Sequence, residues 1–139
     1  MISSVSIEDR ERFYELGFLL KSEFKRLYNL EYLVSDGSNY IFGYYIDNYL
    51  WGFIHIQKSF ESIDIVNIVV DEKKRKCGIG SSLINYVINY FDDVKEIFLD
   101  VNEKNIPAVH LYNKMKFYEI NRREKYYGND TAIIMKRDV

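Results

Sequence analysis

Several residue types are scarce in this sequence, and each scarcity excludes something. Of 139 residues, one is proline (Pro107), one is cysteine (Cys77) and two are histidine (His55 and His110). A single cysteine rules out an internal disulfide framework and suits a reducing compartment. Neither histidine has a partner at metal-ligand spacing, which argues against a zinc site. Uninterrupted apolar runs reach only a few residues, far short of the ~20 that a membrane helix needs. Excess charge of one sign is also missing. The formal net charge is −2 and the sequence pI about 5.7, so neither nucleic acid nor an anionic membrane is expected as a main partner. The first residues, MISSVSIEDRERF, show no basic stretch followed by an apolar one, so a secretory leader is not expected and a cytoplasmic protein is. Repeats, low-complexity tracts and Pro/Gly/Ser-rich linkers are absent, which leaves one domain over residues 1–139.

Apolar residues are plentiful, at 47%, with thirteen Tyr and nine Phe. A chain of this size and composition can bury a core, and disorder is not expected. Residues 2–5 read as a short strand. Ser6 reads as an N-cap with Asp9 three residues on, and apolar residues from Phe13 to Tyr28 recur at helical spacing, giving one or two helices across about 7–30. Ser35–Ser38 is a turn cluster. Tyr40–Ile46 and Tyr49–Gln57 read as a hairpin around Asp47–Asn48. Ile63–Val70 is dense in Ile and Val, as for a strand buried on both faces. Ile79–Phe91 reads as an amphipathic helix, Glu96–Val101 as a strand and Ala108–Met115 as a second helix. Phe117–Ile120 and Thr131–Met135 close the pattern as strands, with a turn at Gly128–Asp130. The order β-α-α-β-β-β-α-β-α-β-β predicts a mixed sheet with helices on its faces, an α/β or α+β sandwich.

The stretch from Asn67 to Ser81 carries the first chemical signal. A strand ends, a basic loop follows (Lys73, Lys74, Arg75, Lys76), and Gly78 and Gly80 open a helix. Backbone N–H groups at a helix start lack intrahelical partners and sit at the positive end of the dipole. Glycines let an anion approach them, so the loop suits a pyrophosphate. By itself a Gly-x-Gly also reads as a tight turn, and a basic run as a solvated face. Two better-known nucleotide loops do not fit. Gly80 is followed by Ser81-Ser82 rather than Lys-Ser/Thr, and Leu83 stands where a dinucleotide fingerprint has its third glycine.

Arg75-x-x-Gly78-x-Gly80, after an apolar strand and opening an amphipathic helix, resembles motif A of the GNAT acetyltransferases. The resemblance implies that Arg75, Lys76, Cys77, Gly78, Ile79, Gly80 and Ser81 bind the pyrophosphate of acetyl-CoA, and that the backbone of Ile68, Val69 and Val70 pairs with its pantetheine arm. It implies the GNAT fold as well: a central mixed, mostly antiparallel sheet of six to seven strands flanked by about four helices, with no metal.

The stretch Leu99–Phe117 is similar to a second GNAT pattern, a strand and an Asn followed by Ala-x-x-Leu-Tyr and a late Phe; Lys116 replaces the family's usual Gly before Phe117. Acetyl transfer to an amine asks for a base to deprotonate the amine and an acid to protonate the leaving thiolate. On the residues alone, Tyr112 reads equally as a core tyrosine and Asn105 as a plain N-cap. The resemblance implies that Tyr112 is the acid aimed at the CoA sulfur and that Asn105 contacts the cofactor. Four stretches (Asn67–Asp71, Leu99–Val101, Asn105–Tyr112 and Arg122–Met135) resemble the RimI-type ribosomal-protein N-terminal alanine acetyltransferases. There the position of Asp100 is a Glu that acts as general base, usually through water. Asp100 is one methylene shorter, and on the residues alone it reads also as a satisfied strand-end carboxylate. Glu61 and Asp64 are alternative bases.

The expected function is therefore acetyl transfer from acetyl-CoA to a primary amine, such as a protein N-terminal α-amine. A small-molecule amine or lysine acetyltransferase of the same superfamily, or a catalytically silent acyl-CoA-binding module, stay open beside it. So do monomer and homodimer. Cys77 reads as incidental, because no base is spaced to activate it. Residues 1–60 match the family only in order of elements.

Overall fold

A computed structural model describes residues 1–139. The elements run β1 (Ile2–Ser4), a 3-10 turn (Ile7–Asp9), α1 (Arg10–Leu20), α2 (Phe24–Leu27), α3 (Leu30–Ser35), β2 (Asn39–Ile46), β3 (Tyr49–Ser59) and β4 (Ser62–Val70). A second 3-10 turn (Glu72–Lys74) leads to α4 (Ile79–Tyr90), β5 (Glu96–Asn102), α5 (Ile106–Lys114), β6 (Tyr118–Tyr127) and β7 (Asp130–Asp138). One seven-stranded sheet has the order β1-β2-β3-β4-β5-β7-β6. Neighbours are antiparallel except β4 and β5, which are parallel. A parallel pair needs a crossover, and α4 supplies it. No helix is long and apolar enough to cross a membrane.

Turn chemistry sets the hairpins. Asp47 and Asn48 take φ of 51° and 64°, the left-handed pair of a two-residue turn that suits strand twist. Each face of the sheet then buries its own core. On one face α4 inserts Leu83, Ile84 and Val87 among Ile97, Leu99, Ile133 and Met135. On the other, α1–α3 cover Phe53 and Val69 with Phe13, Leu16, Phe24 and Leu30. Burying one such side chain contributes about 1.5–3 kcal/mol.

The structure departs from the sequence reading in four places. The first is α3, a short extra helix running into the expected turn cluster. Asn29 Oδ1 caps it by accepting from the Tyr32 N–H at 2.9 Å, and only Leu30 and Leu33 are buried, too few to register as a period. Next, β6 continues to Tyr127 instead of ending at Ile120. It is an edge strand exposed at every position, so no face imposed alternation on it. Third, β4 is not buried on both faces: Ile63, Ile65, Asn67 and Val69 are buried, Asp64 is exposed, and Val66, Ile68 and Val70 are half-covered. Lastly, Ser6 does cap the first turn, accepting from the Glu8 N–H at 3.1 Å, but Asp9 does not close a capping box. Asp9 Oδ2 accepts from the Tyr45 hydroxyl at 2.7 Å and ties the turn to β2.

Candidate active site

The site opens where β4 and β5 part. The two strands pair only over Ser62–Ile65 and Glu96–Leu99. On the other side of β4, the register with β3 steps from His55↔Asn67 to Ile56↔Ile65. Val66 is therefore an extra residue, a β-bulge that bends the strand and reverses which residues face which side. Beyond the bulge, Val66–Val70 and Asp100–Asn102 form opposite walls of a cleft of about 900 Å³.

At one end the cleft is built for an anion. Asp71 Oδ1 accepts from the Lys73 N–H at 2.9 Å and caps the 3-10 turn. The chain then turns through two left-handed residues, Lys76 (φ 63°) and Gly78 (φ 82°), the second at the N-cap of α4. The first intrahelical bond of α4 runs from the Ser82 N–H to the Gly78 carbonyl at 3.0 Å. The N–H groups of Ile79, Gly80 and Ser81 thus have no helical acceptor. A Cβ on Gly80 would meet Leu111 of α5 at 3.1 Å, so the glycine also lets α4 and α5 close the cleft floor. Lys74, Arg75 and Lys76 line this end. The Arg75 Nε–H donates to the Val70 carbonyl at 3.3 Å, which ties the loop back to β4.

The other end carries titratable groups. Tyr112 of α5 is 6% exposed, and its ring meets Phe117 edge-on at 5.9 Å. Burial, and then Tyr127, push its hydroxyl well above the usual phenol range, so it stays protonated at any working pH. Asp100 stands exposed on β5. Asp64 faces Phe98 in register, and side chains two residues apart share a face, so Asp64 and Asp100 lie on one side of the sheet. Partial burial, then the Asp100 charge, raise the Asp64 carboxyl above its ordinary value. Burial raises the Tyr127 hydroxyl too, followed by Asp100, Tyr126 and Tyr28. Tyr127, at the end of β6, therefore stands near Asp100, and both line the cleft.

A buried polar chain backs the bulge. The Asn67 Nδ2–H donates to His55 Nδ1 at 3.4 Å, His55 Nε2 lies 2.7 Å from Asn39 Oδ1, and Asn39 Nδ2–H donates to Asp36 Oδ2 at 2.8 Å. His55 is 1% exposed, and burial lowers its pKa to about 4. It is neutral here, and the chain is consistent if Nε2 carries its proton.

Most residues singled out in the sequence line this one cleft: Ile68, Val69, Val70, Arg75, Lys76, Gly78, Ile79, Gly80, Ser81, Asp100, Asn105 and Tyr112. Asn105 Oδ1 accepts from the Ala108 N–H at 3.3 Å, so it caps α5 while standing at the wall. Cys77 does not line the cleft; it is exposed, with Sγ 3.6 Å from the Arg75 carbonyl oxygen. Glu61 lies in a separate depression with Lys95 and Glu96, at the far end of β4, and Asp64 does not line the cleft either, so of the three carboxylates only Asp100 stands at its wall. The sequence reading missed Leu19 and Leu20 at the end of α1 and Lys21 just after it, and did not assign His110 or Tyr127 a place in the site. Tyr127 stood inside a matched stretch and was findable. The α1 residues sit in the unmatched half and carried no signal. No three His, Cys, Asp or Glu side chains gather as metal ligands.

Comparisons with known proteins agree with this geometry. The family model described as Acetyltransferase (GNAT) family matches residues 5–117. An N-alpha-acetyltransferase of Sulfolobus acidocaldarius is 32% identical over 108 residues, covering 73% of this chain and 64% of the relative's length. The [ribosomal protein bS18]-alanine N-acetyltransferase of Escherichia coli is 31% identical over 85 residues, covering 57% of each chain. Among solved structures, Arabidopsis thaliana NAA60 in complex with acetyl-CoA superposes with a TM-score of 0.81 at 21% identity, covering 100% of this chain and 98% of that one. A match over most of the chain, together with the parted strands and the glycine loop that opens α4, places the protein in the GNAT acetyltransferase family.

Proposed function

We propose that the chain transfers an acetyl group from acetyl-CoA to a primary amine, and that the acceptor is the α-amine of a protein N-terminus. One observation carries the reading. A single cleft joins an anion-binding helix start at one end to a buried, protonated Tyr112 and the Asp100 carboxylate at the other.

The roles follow from the chemistry of each group. The N–H groups of Ile79, Gly80 and Ser81 hold the pyrophosphate, and Lys74, Arg75 and Lys76 offset its charge. Ile68–Val70 offer strand backbone to the pantetheine arm, with Asn105 opposite. Asp100, with Asp64 beside it, accepts the proton of the incoming ammonium directly or through water. As the amine nitrogen bonds to the acyl carbon and the C–S bond breaks, Tyr112 gives its proton to the sulfur. Tyr127 lines the acceptor end beside Asp100. The relatives' names, N-alpha-acetyltransferase and bS18-alanine N-acetyltransferase, favour an α-amine acceptor. The lone Cys77 and the net charge of −2 fit a cytoplasmic enzyme.

An acceptor panel tests the reading: peptides beginning with Ala, Ser or Met, the same peptides with a blocked α-amine, free lysine, and polyamines. Release of CoA thiol with an Ala- or Ser-starting peptide, lost on blocking, is the expected result. Turnover confined to free lysine or polyamines would overturn the acceptor assignment.

A further inference from the structure

One ion pair is more deeply covered than any other. The Arg12 Nη2–H donates to Asp71 Oδ2 at 2.5 Å, with side chains 14% and 16% exposed. The Arg12 Nε–H donates to the Leu50 carbonyl at 2.8 Å. Its guanidinium carbon lies 4.5 Å from the Tyr49 ring centre and 5.8 Å from that of Trp51. An Arg held by a carboxylate, a carbonyl and two rings has one orientation. Neither Arg12 nor Asp71 lines the cleft.

Asp71 is the hinge between β4 and the cofactor loop. Its N–H donates to the Trp51 carbonyl at 2.8 Å, and its Oδ1 caps the turn that carries Lys73 and Lys74. Lys74 Nζ lies 4.9 Å from the same Trp51 ring. The Arg12 hydrogen bond, more than any other contact, holds the Asp71 carboxyl below the ordinary range, so it is anionic. An anionic cap at the start of the loop that leads to a pyrophosphate site has two sides. It shapes the loop, but uncompensated it repels the phosphates. Arg12 does both jobs at once: it fixes the cap and cancels its charge. α1 reaches the cleft with its other end, through Leu19 and Leu20.

We infer that Arg12 is a positioning residue for the cofactor loop, setting acetyl-CoA affinity through Asp71 without touching the cofactor. The inference rests on the proposed use of acetyl-CoA. The test is calorimetric titration of acetyl-CoA, with steady-state kinetics, into wild type, Arg12→Gln, Arg12→Lys, Asp71→Asn and the double variant Arg12→Gln/Asp71→Asn. Arg10→Gln, on the same helix as Arg12, removes an exposed pair with Glu31 of α3 and serves as control.

Arg12→Gln is expected to raise Kd and KM for acetyl-CoA by about tenfold, the scale of a charge-assisted hydrogen bond, with kcat within about twofold. Arg12→Lys, which keeps the charge but not the fork, should fall between, and it carries the test if Arg12→Gln does not purify. The double variant should recover affinity relative to Arg12→Gln, because Asn keeps the capping oxygen and removes the stranded charge. A merely structural Arg12 predicts the opposite: a lower melting temperature with Kd unchanged, or a double variant weaker than either single one. Either result overturns the inference, as does a fall in kcat with Kd unchanged. Wild-type protein that binds no acetyl-CoA would sink the functional reading and the inference with it; wild-type binding matched by Arg12→Gln would sink the inference alone.

Discussion

Tyr112→Phe isolates the chemistry from the fold. The substitution removes one hydroxyl and leaves a ring that still meets Phe117 edge-on at 5.9 Å, so no buried volume is lost. Losing a positioned general acid lowers turnover by about 10²–10⁴-fold, which corresponds to roughly 3–5 kcal/mol of barrier. Ground-state binding uses the loop at the other end of the cleft, so affinity for CoA should change by less than about twofold. The defect should also depend on pH. An alkyl thiol has a pKa near ~8.5; above it the thiolate leaves without needing a proton, and the variant should approach wild type. The assay is thiol release from acetyl-CoA across pH 7 to 10 (about the range an alkyl thiol titrates over), paired with calorimetric CoA binding. Turnover at neutral pH within about threefold of wild type would refute the acid role. So would a loss of CoA affinity that tracks the loss of turnover.

Further outcomes follow from the same geometry. Asp100→Asn removes the proposed base and should lower kcat/KM by about 10²–10⁴-fold with acetyl-CoA affinity kept; turnover within about threefold of wild type would take the base role away from Asp100. His55 is held neutral, with a folded pKa of about 4 against 6.5 unfolded. Its contribution of about 3 kcal/mol is fully present above pH ~6.5 and is lost as pH falls toward about 4, because the unfolded chain takes the proton first. Urea midpoints of wild type should therefore fall more steeply than those of His55→Gln between neutral and acid pH, and parallel slopes would contradict this. Lys116 takes φ 69° just after α5, where the family usually has Gly. Lys116→Gly should stabilise the fold by about 0.5–1 kcal/mol by relieving left-handed strain, read as a raised urea midpoint; a lowered one would show that the Lys side chain matters more than its backbone.

The cleft was legible because its signals are local. Gly78 and Gly80 open a helix, Pro107 and Asn105 open another, and Tyr112 follows at a fixed distance on the same helix. Backbone conformation at a turn is written in the residues that make it. What escaped was set by tertiary contact. The bulge at Val66 appears in the register of β4 against β3, and β5 pairs with β4 only before it, which no single segment encodes. The second half of β6 is an exposed edge strand with no face to pattern. Arg12 meets Asp71 across 59 residues, and nothing in MISSVSIEDRERF distinguishes Arg12 from Arg10, which pairs on the surface.

The central claim is acetyl transfer within this cleft to a peptide α-amine. The most direct measurement mixes the wild-type protein with acetyl-CoA and an Ala-starting peptide, follows thiol release, and locates the acetyl group by mass spectrometry. The account predicts thiol release matched one for one by Nα-acetyl peptide. Tight binding of acetyl-CoA with no thiol release on any amine would contradict it and mark the protein as a silent acyl-CoA-binding module.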